Sequence, residues 1–582
     1  MIKPTYPRDF LDTASNRLRA LYPDADNRHL IERLQLAMGR YGINLDPGQE
    51  SINQEMWSEK DAVLITYADT LLGGENQVPL QQLTRFATDH LRSAFNTIHL
   101  LPFFPWSSDD GFSVINYRQV DESSGTWADV AGLRNHFNLM FDWVLNHVSA
   151  KSSWFRFYIN GVSPYRDFFI EESPETDLSE VTRPRTSPLL TQVETRHGTR
   201  HVWTTFSADQ VDLNWANPDV FFEMLDVLLF YISQGASIIR MDAVAFLWKE
   251  VGTTCLHHEM THEVIRFLRN ILDQIAPNVI LLTETNVPHK ENISYFGQAD
   301  EAHMVYQFSL PPLTLHALLR EDADHLTSWA QSLPSLPDSC TFFNFTSSHD
   351  GIGVRPLQGI LDDDELDFLV ESIQNRGGRV SYRTLPDGSQ SPYELNCTWF
   401  SALADPDDPL SEISARRFLA SQIIAMSLQG IPGIYIHSIL ASPNDLEGVE
   451  ESGINRRINR HKLTPDELDD FLKDVDHSRN QIFKEYLRIL AVRNTEPAFH
   501  PNVAQNIING HQKAFIVKRC AENPVICLHN ISVSQIDVDL GSHLTPGKWI
   551  DLLGGIEREF SNTSVNMNPL ECLWLKKLPQ GS

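Results

Sequence analysis

Acidic side chains follow apolar runs at several places in this sequence, and together they could perform nucleophilic and acid–base chemistry. Asp242, Glu284 and Asp350 each stand at or just beyond the end of such a run, and Arg240 and His349 lie beside two of them. Cleavage of a glycosidic bond needs two carboxyl groups, and retention of configuration requires them roughly 5–5.5 Å apart. One aspartate in such a place is more often a helix N-cap. Three acidic residues together with Arg240 and His349 favour a catalytic cluster.

The elements that must position these side chains are indicated by short apolar runs that recur along the chain. Segments of helix length separate the runs, which is typical of parallel βαβ units. We therefore predict an α/β protein with a (β/α)8 barrel, whose strand ends share one catalytic face. The predicted strands are AVLITYAD (62–69), TIHLLPFF (97–104), NLMFDWVLN (138–146), ASIIRMDAV (236–244), VILLTETN (279–286), AHMVYQF (302–308), CTFFNFTSS (340–348) and GIPGIYIHS (430–438).

Other stretches lack this alternation of apolar runs and helix-length segments. Polar insertions follow the third and seventh runs, where long loops of a barrel often bind substrate. Short alternating segments after about residue 500 predict a small antiparallel β-domain. The predicted units are an N-terminal helical extension (1–60), barrel segments (61–149, 206–354 and 403–499), inserted subdomains (150–205 and 355–402) and a C-terminal β-domain (500–582).

Composition excludes several classes of partner. The net charge of −29 over 582 residues disfavours nucleic acid and anionic membranes, which carry the same sign. No apolar run approaches the roughly 20 residues of a membrane span, and the N-terminus lacks the features of a signal peptide. The six cysteines are scattered without a metal-binding spacing. We expect a cytoplasmic monomer or homodimer with reduced thiols.

The four segments that end in Asp142-Trp-Val-Leu-Asn146-His147, Arg240-Met-Asp242, Thr283-Glu284 and Ser348-His349-Asp350 resemble the four conserved regions of the α-amylase family, glycoside hydrolase family 13. The resemblance implies that Asp242 is the nucleophile, Glu284 the acid/base and Asp350 the stabiliser of the transition state. It also implies that Arg240 orients Asp242, and that His147 and His349 donate hydrogen bonds to the glucose hydroxyls.

The segment LLPFFPWSSDDGFSVINYRQVD resembles the sucrose phosphorylase subfamily more than ordinary amylases. This resemblance implies that Asp110 accepts a hydrogen bond from the glucose 4-hydroxyl and closes the pocket around one terminal glucose. Arg460, in Ile458-Asn459-Arg460-His461, would join Asp110 there. Phe112 and Phe206 would form an apolar wall beside the sugar.

A phosphorylase must admit phosphate to the glucosyl-enzyme, and arginine is the preferred partner for such an anion. Arg185, in Thr182-Arg183-Pro184-Arg185, matches the arginine that contacts phosphate in sucrose phosphorylases. The resemblance therefore implies a small α-glucoside and inorganic phosphate as substrates, with α-glucose 1-phosphate as product and no cofactor.

Three acceptor-side positions depart from sucrose phosphorylases. Thr182 replaces a tyrosine, Asn286 a histidine, and Glu394, after Tyr393, a glutamine. The pattern resembles glucosylglycerate phosphorylases most closely, with glucosylglycerol phosphorylases as near relatives. A glycerate carboxylate could pair with Arg183, whereas Glu394 disfavours an anion unless it meets a hydroxyl.

Three alternatives stay open at this point. The chain could be a sucrose or sucrose 6-phosphate phosphorylase, an α-glucosidase or transglucosidase, or an inactive binding subunit of the family. The last would lack one or more carboxylates, and all three are present. Asn146 corresponds to a calcium ligand of many amylases, but the sucrose phosphorylase group works without the ion, so we expect no metal.

Overall fold

Eight parallel strands close into a barrel, each hydrogen-bonded to its neighbours in sequence, with the first beside the last. The computed structural model describes residues 6–43, 55–384 and 389–579. Each of the eight predicted runs contains one barrel strand, which confirms the predicted fold class. The strands are β1 Val63–Thr66, β2 Thr97–Leu100, β3 Asn138–Val144, β4 Ala236–Asp242, β5 Ile280–Thr283, β6 Met304–Tyr306, β7 Thr341–Phe345 and β8 Ile431–Tyr435.

Helices cover the outside of the barrel, and the strands are almost entirely buried because both of their faces are covered. The helix Glu259–Ile275 shows how this works, since its buried residues include Val264, Leu268 and Leu272 along one face. The helices that follow the barrel strands are Pro79–His90, Trp127–Arg134, Pro218–Ser233, Glu259–Ile275, His289–Ile293, Leu310–Arg320, Asp324–Gln331, Glu412–Ser427 and Ser478–Arg493.

The connections after β3, β7 and β8 carry secondary structure of their own at the catalytic face. The connection after β3 contains the helix Ser153–Ile159 and the strands His147–Ser149, Leu190–Thr195, Gly198–Trp203 and Gln210–Asp212. The connection after β7 contains a three-stranded sheet of Ile352–Gly353, Arg379–Thr384 and Gln390–Asn396, with the helices Asp363–Asn375 and Trp399–Leu403. The helices Ile436–Ile439, Leu446–Ser452 and Pro465–Lys473 follow β8.

An antiparallel β-structure follows the barrel, as predicted. Six of its strands form one sheet and two form a second, around a separate apolar cluster that includes Ile516, Leu528 and Trp549. Its strands are Gln505–His511, Ala514–Arg519, Val525–Asn530, Ile536–Asp539, Gly547–Asp551, Ile556–Phe560, Ser564–Met567 and Cys572–Lys577.

Two helices, Arg8–Leu21 and Asn27–Met38, precede the barrel and lie against its outer helices. Leu18 is fully buried, and Arg17 forms an ion pair of 2.8 Å with Glu263. Residues 44–54 of the predicted extension lie outside the described residues, and the unit boundaries drawn from sequence stay predictions. No helix among the described residues is long and apolar enough to cross a membrane.

Candidate active site

One cavity at the carboxyl ends of the strands collects most of the residues singled out from the sequence. Asp242 ends β4, Glu284 directly follows β5, and Asp350 lies in the loop after β7. The predicted site residues that line the cavity are Phe112, His147, Arg185, Phe206, Asp242, Glu284, Asn286, His349, Asp350, Tyr393 and Glu394. The predicted residues outside this lining are Asp110, Arg183, Arg240 and Arg460.

Arg240 lies near both candidate catalytic carboxyl groups. It lies two residues before Asp242 on β4, so both side chains point to the same face of the strand. Its Nη1 donates to Asp242 Oδ1 at 2.9 Å and also to Asp142 on β3, while its Nη2 lies 3.9 Å from Glu284 Oε2. Ala243 adopts a left-handed backbone with φ 53°, and its N–H donates to Glu284 Oε2 at 3.0 Å.

These contacts affect the pKa values of the two carboxyl groups. Burial raises the pKa of Asp242 and of Glu284, and Arg240 opposes the rise at both. The charge of Glu284 adds to the rise in the pKa of Asp242, because neighbouring carboxylates cannot both ionise easily. Arg240 is in hydrogen-bond contact with Asp242 but 3.9 Å from Glu284, so it favours an ionised Asp242 more directly than an ionised Glu284.

Asp350 is held as an anion by three arginines. Burial favours its neutral form, but Arg456, with Arg460 and Arg240, outweighs burial and lowers the pKa of Asp350. Arg456 Nη1 lies 2.6 Å from Asp350 Oδ1. This third carboxylate is thus fixed in charge and available to sugar hydroxyls or to positive charge that develops at the anomeric carbon.

Asp110 and Arg460, which the resemblance implies contact the glucose 4-hydroxyl, form an ion pair of 2.8 Å outside the cavity lining. Burial raises the pKa of Asp110, but Arg460 and then Arg457 lower it below its usual range. Arg460 Nε also donates to the His349 carbonyl at 2.8 Å. Asp110 has a left-handed backbone with φ 45°, which aims its carboxylate at this arginine.

The two predicted histidines form one wall with Phe112 and Phe206. His147 Nε2 donates to the Phe112 carbonyl at 2.9 Å, and the Phe112 ring stacks on His349 with centroids 4.7 Å apart. Phe206 lies 5.3 Å from His147. Burial lowers the pKa of both histidines, so both rings are neutral. A glucose hydroxyl that meets His147 shares its N–H with the Phe112 carbonyl.

The two arginines of the inserted loop have different surroundings. Arg185 lines the cavity, and its guanidinium lies over the Tyr393 ring at 5.5 Å. Arg183 instead donates to the Ser187 carbonyl of its own loop, and the structure does not bring it into the cavity. Among the described residues, no carboxylate forms an ion pair with Arg185, which leaves it open to an anion.

Sequence reasoning missed several polar residues at or beside the site, among them Arg456, Gln210 and His99. Arg456 contacts Asp350, Gln210 Nε2 lies 3.2 Å from His147 Nε2, and His99 Nε2 lies 2.6 Å from Asp142 Oδ2 behind Arg240. The signal for Arg456 was present, because it stands four residues before Arg460 in a chain with few basic residues. Nothing in the local sequence marks Gln210.

Asn146 corresponds to a calcium ligand of many amylases, and here a lysine ammonium contacts its side-chain oxygen. Lys249 Nζ donates to Asn146 Oδ1 at 2.5 Å and lies 2.6 Å from Asp212 Oδ2. A cation in contact with the same two oxygen donors would meet this ammonium. The residues present therefore do not fit a calcium ion at this place, and no group of three potential ligands occurs among the described residues.

The chain is similar to known proteins over most of its length. A family model for the catalytic domain of α-amylase matches residues 91–351. A glucosylglycerate phosphorylase of Spirochaeta thermophila is 47% identical over 88% of this chain and 89% of its own. A glucosylglycerol phosphorylase of Marinobacter adhaerens is 29% identical over 83% of this chain and 98% of its own.

A solved structure gives the same picture of the fold. The sucrose 6F-phosphate phosphorylase of Thermoanaerobacter thermosaccharolyticum superposes with a TM-score of 0.72 and 25% identity, covering 88% of this chain and 100% of that chain. The similarity thus covers more of the chain than the barrel segments alone.

Proposed function

This chain belongs to the α-amylase family, glycoside hydrolase family 13, as a phosphorylase of the glycosyltransferase type, and we propose that it is a retaining glucosylglycerate phosphorylase. It transfers glucose reversibly between a small α-glucoside and phosphate. The observation that carries the proposal is that Arg185, which lacks a carboxylate partner among the described residues, lines the same cavity as Asp242 and Glu284.

In the first step, Asp242 attacks the anomeric carbon while Glu284 donates its proton to the leaving glycosidic oxygen. The bond from carbon to the acceptor oxygen breaks, and a β-glucosyl ester forms on Asp242. We assign the proton to Glu284 because Arg240 donates a hydrogen bond to Asp242 and so favours the negative charge there. Asp350 stabilises the positive charge that develops on the sugar.

In the second step, phosphate replaces the departed acceptor. A phosphate oxygen attacks the anomeric carbon, Glu284 takes back a proton, and Asp242 leaves as a carboxylate. Two inversions give α-glucose 1-phosphate with net retention. Arg185 holds the phosphate by charge-assisted hydrogen bonds.

Glycerate is the acceptor we favour over glycerol, because identity to the glucosylglycerate phosphorylase is 47% and to the glucosylglycerol phosphorylase 29%. The test is a screen in the synthetic direction with glucose 1-phosphate and glycerate, glycerol, fructose or fructose 6-phosphate. We expect glycerate to give the highest kcat/KM and a product with the α-configuration. A preference for another acceptor would remove glycerate from the proposal.

The phosphorylase reaction itself is tested in the other direction. We expect glucosylglycerate to yield α-glucose 1-phosphate when phosphate is present and little free glucose when it is absent. Equal release of glucose with and without phosphate would assign the chain to the glucosidases or transglucosidases instead.

A further inference from the structure

An acidic side chain lies where the proposed reaction must admit anions. Glu394 lines the cavity and is 1% exposed. Phosphate and a carboxylate acceptor are both negative, and like charges in a buried site repel strongly. A bare carboxylate at this position would therefore oppose both substrates of the proposed reaction.

The structure gives Glu394 a partner that removes this conflict. Arg456 Nη2 donates to Glu394 Oε1 at 2.8 Å and Arg456 Nε donates to Oε2 at 3.0 Å. This two-pronged arrangement is the strongest geometry for an arginine–carboxylate pair. The remaining nitrogen, Nη1, lies 2.6 Å from Asp350 Oδ1, so one guanidinium joins the acceptor side to the sugar side of the cavity.

Both partners are placed by rigid local structure. Glu394 pairs with Gly353 and Ser381 within the three-stranded sheet, and a Cβ on Gly351 would meet its Cγ at 2.5 Å, so a side chain at residue 351 would displace it. Arg456 lies in the 3-10 turn Asn455–Asn459.

The 3-10 turn is fastened to the Asp350 loop at its far end. The Asn459 amide donates to the carbonyls of Ser348 and Asp350 at 3.1 and 3.0 Å. The position of Arg456 thus depends on the same loop that carries Asp350.

We propose that Arg456 is a positioning residue with two roles: it neutralises Glu394 so that anions can enter the acceptor side, and it holds Asp350 in place towards the sugar. Glu394 then acts as a neutralised acceptor of hydrogen bonds for a hydroxyl of the acceptor, not as a repelling charge. This inference rests on the proposed function, because the conflict arises only if an anion binds there.

The two roles can be separated by a rescue experiment on the full chain. In Arg456→Ala, Glu394 and Asp350 both lose their partner, and we expect the KM for phosphate to rise and kcat to fall, each roughly tenfold or more. In Arg456→Ala/Glu394→Gln the unpaired charge is gone. We expect its KM for phosphate to return to within about threefold of wild type, while kcat stays low.

The pH profile supplies a readout that a purely structural role would not change. Arg456 lowers the pKa of Asp350, and activity requires this carboxylate to be ionised. Removal of Arg456 should raise the pKa of Asp350. The acid limb of the pH profile of kcat/KM should therefore move to higher pH in both Arg456→Ala and the double variant. An unchanged acid limb would contradict the Asp350 role.

The remaining outcomes also discriminate. A double variant whose phosphate KM stays as high as that of Arg456→Ala overturns the neutralising role. If Arg456→Ala does not fold, Glu394→Gln alone still tests it, because it removes the negative charge on the acceptor side while Arg456 keeps its ion pair with Asp350. This variant should lower the phosphate KM; an increase would overturn the role. Absence of phosphate-dependent turnover in the wild type would instead contradict the proposed function.

Discussion

At the residue scale, Arg240 interacts differently with the carboxyl groups of Asp242 and Glu284. It contacts Asp242 directly and Glu284 only at 3.9 Å, so we expect a shared proton to rest on Glu284. Burial raises the pKa of Glu284 despite Arg240, which keeps the acid protonated at higher pH than an ordinary glutamate. The roles that we expect for Asp242 and Glu284 thus follow from which of the two carboxyl groups Arg240 contacts by a hydrogen bond.

The pH dependence of the first step follows from this arrangement. Glu284 must be protonated to help the leaving group, so activity should fall as pH rises through its raised pKa. Glu284→Gln should remove this alkaline limb and nearly all turnover of glucosylglycerate. It should retain turnover of α-glucosyl fluoride, whose leaving group needs no proton. Equal loss on both substrates would contradict the acid role.

Asp242→Asn tests the nucleophile. The amide cannot form the glucosyl ester, so kcat should fall by about 10⁴-fold or more. The isosteric change leaves the packing around Arg240 intact, so the thermal unfolding midpoint should stay close to that of wild type. Substantial remaining activity in a pure, folded sample would mean that another group attacks the sugar.

Arg185→Ala tests the phosphate site, with Arg183→Ala as a control from the same loop. Arg185 faces the cavity and Arg183 donates to the Ser187 carbonyl. We expect Arg185→Ala to lower kcat/KM for phosphate by about tenfold or more and to spare slow hydrolysis. Arg183→Ala should change phosphorolysis little. Equal loss of hydrolysis and phosphorolysis in Arg185→Ala would count against a phosphate contact.

Sequence alone could predict the residues at strand ends but not every partner. Asp242 and Glu284 are predictable because a barrel fixes where strand ends point. Arg456 is contributed by a turn after β8, and only the folded chain shows which of its neighbours it pairs with. The same limit applies to Arg183 and Arg185, since their order in the loop does not reveal which one faces inward.

At the scale of elements, the apolar runs predicted all eight barrel strands because each is buried on both faces. The predicted runs extend past the strands at their carboxyl ends: the run 340–348, for example, contains the strand Thr341–Phe345. The residues that follow this strand, Thr346, Ser347 and Ser348, are polar and line the cavity. The small sheet after β7 was harder to predict, since its strands are short and mixed in polarity.

Lys249 links two of these elements, the loop after β4 and the connection after β3. Its ammonium is buried between Asp212 and Asn146, and its loss leaves a buried carboxylate unpaired. We expect Lys249→Ala to cost about 3–5 kcal/mol of stability, measured by thermal or denaturant unfolding. The exposed Lys473, paired with Asp469, is the control, and Lys473→Ala should leave the midpoint unchanged. Loss of wild-type activity in a chelator, restored by calcium, would contradict the role given to Lys249.

At the scale of the whole molecule, the N-terminal helices act as a cover for the barrel helices. Leu18→Ala should cost about 2–5 kcal/mol, because Leu18 is fully buried and far from the cavity, with kcat unchanged under conditions where the protein is folded. Leu36, 59% exposed on the neighbouring helix, is the matched control. Equal stability of Leu18→Ala and Leu36→Ala would show that the helices do not contribute to the fold of the barrel.

The ion pair between Asp110 and Arg460 has a kinetic consequence for the proposed reaction. If this pair closes the far side of the glucose, as the resemblance implies, we expect a donor to enter by its terminal sugar and both products to leave by the same opening. Such an enzyme cannot work processively along a glucan. Each glucose transferred requires a full cycle of association and dissociation, so throughput depends on the number of donor molecules and not on their length.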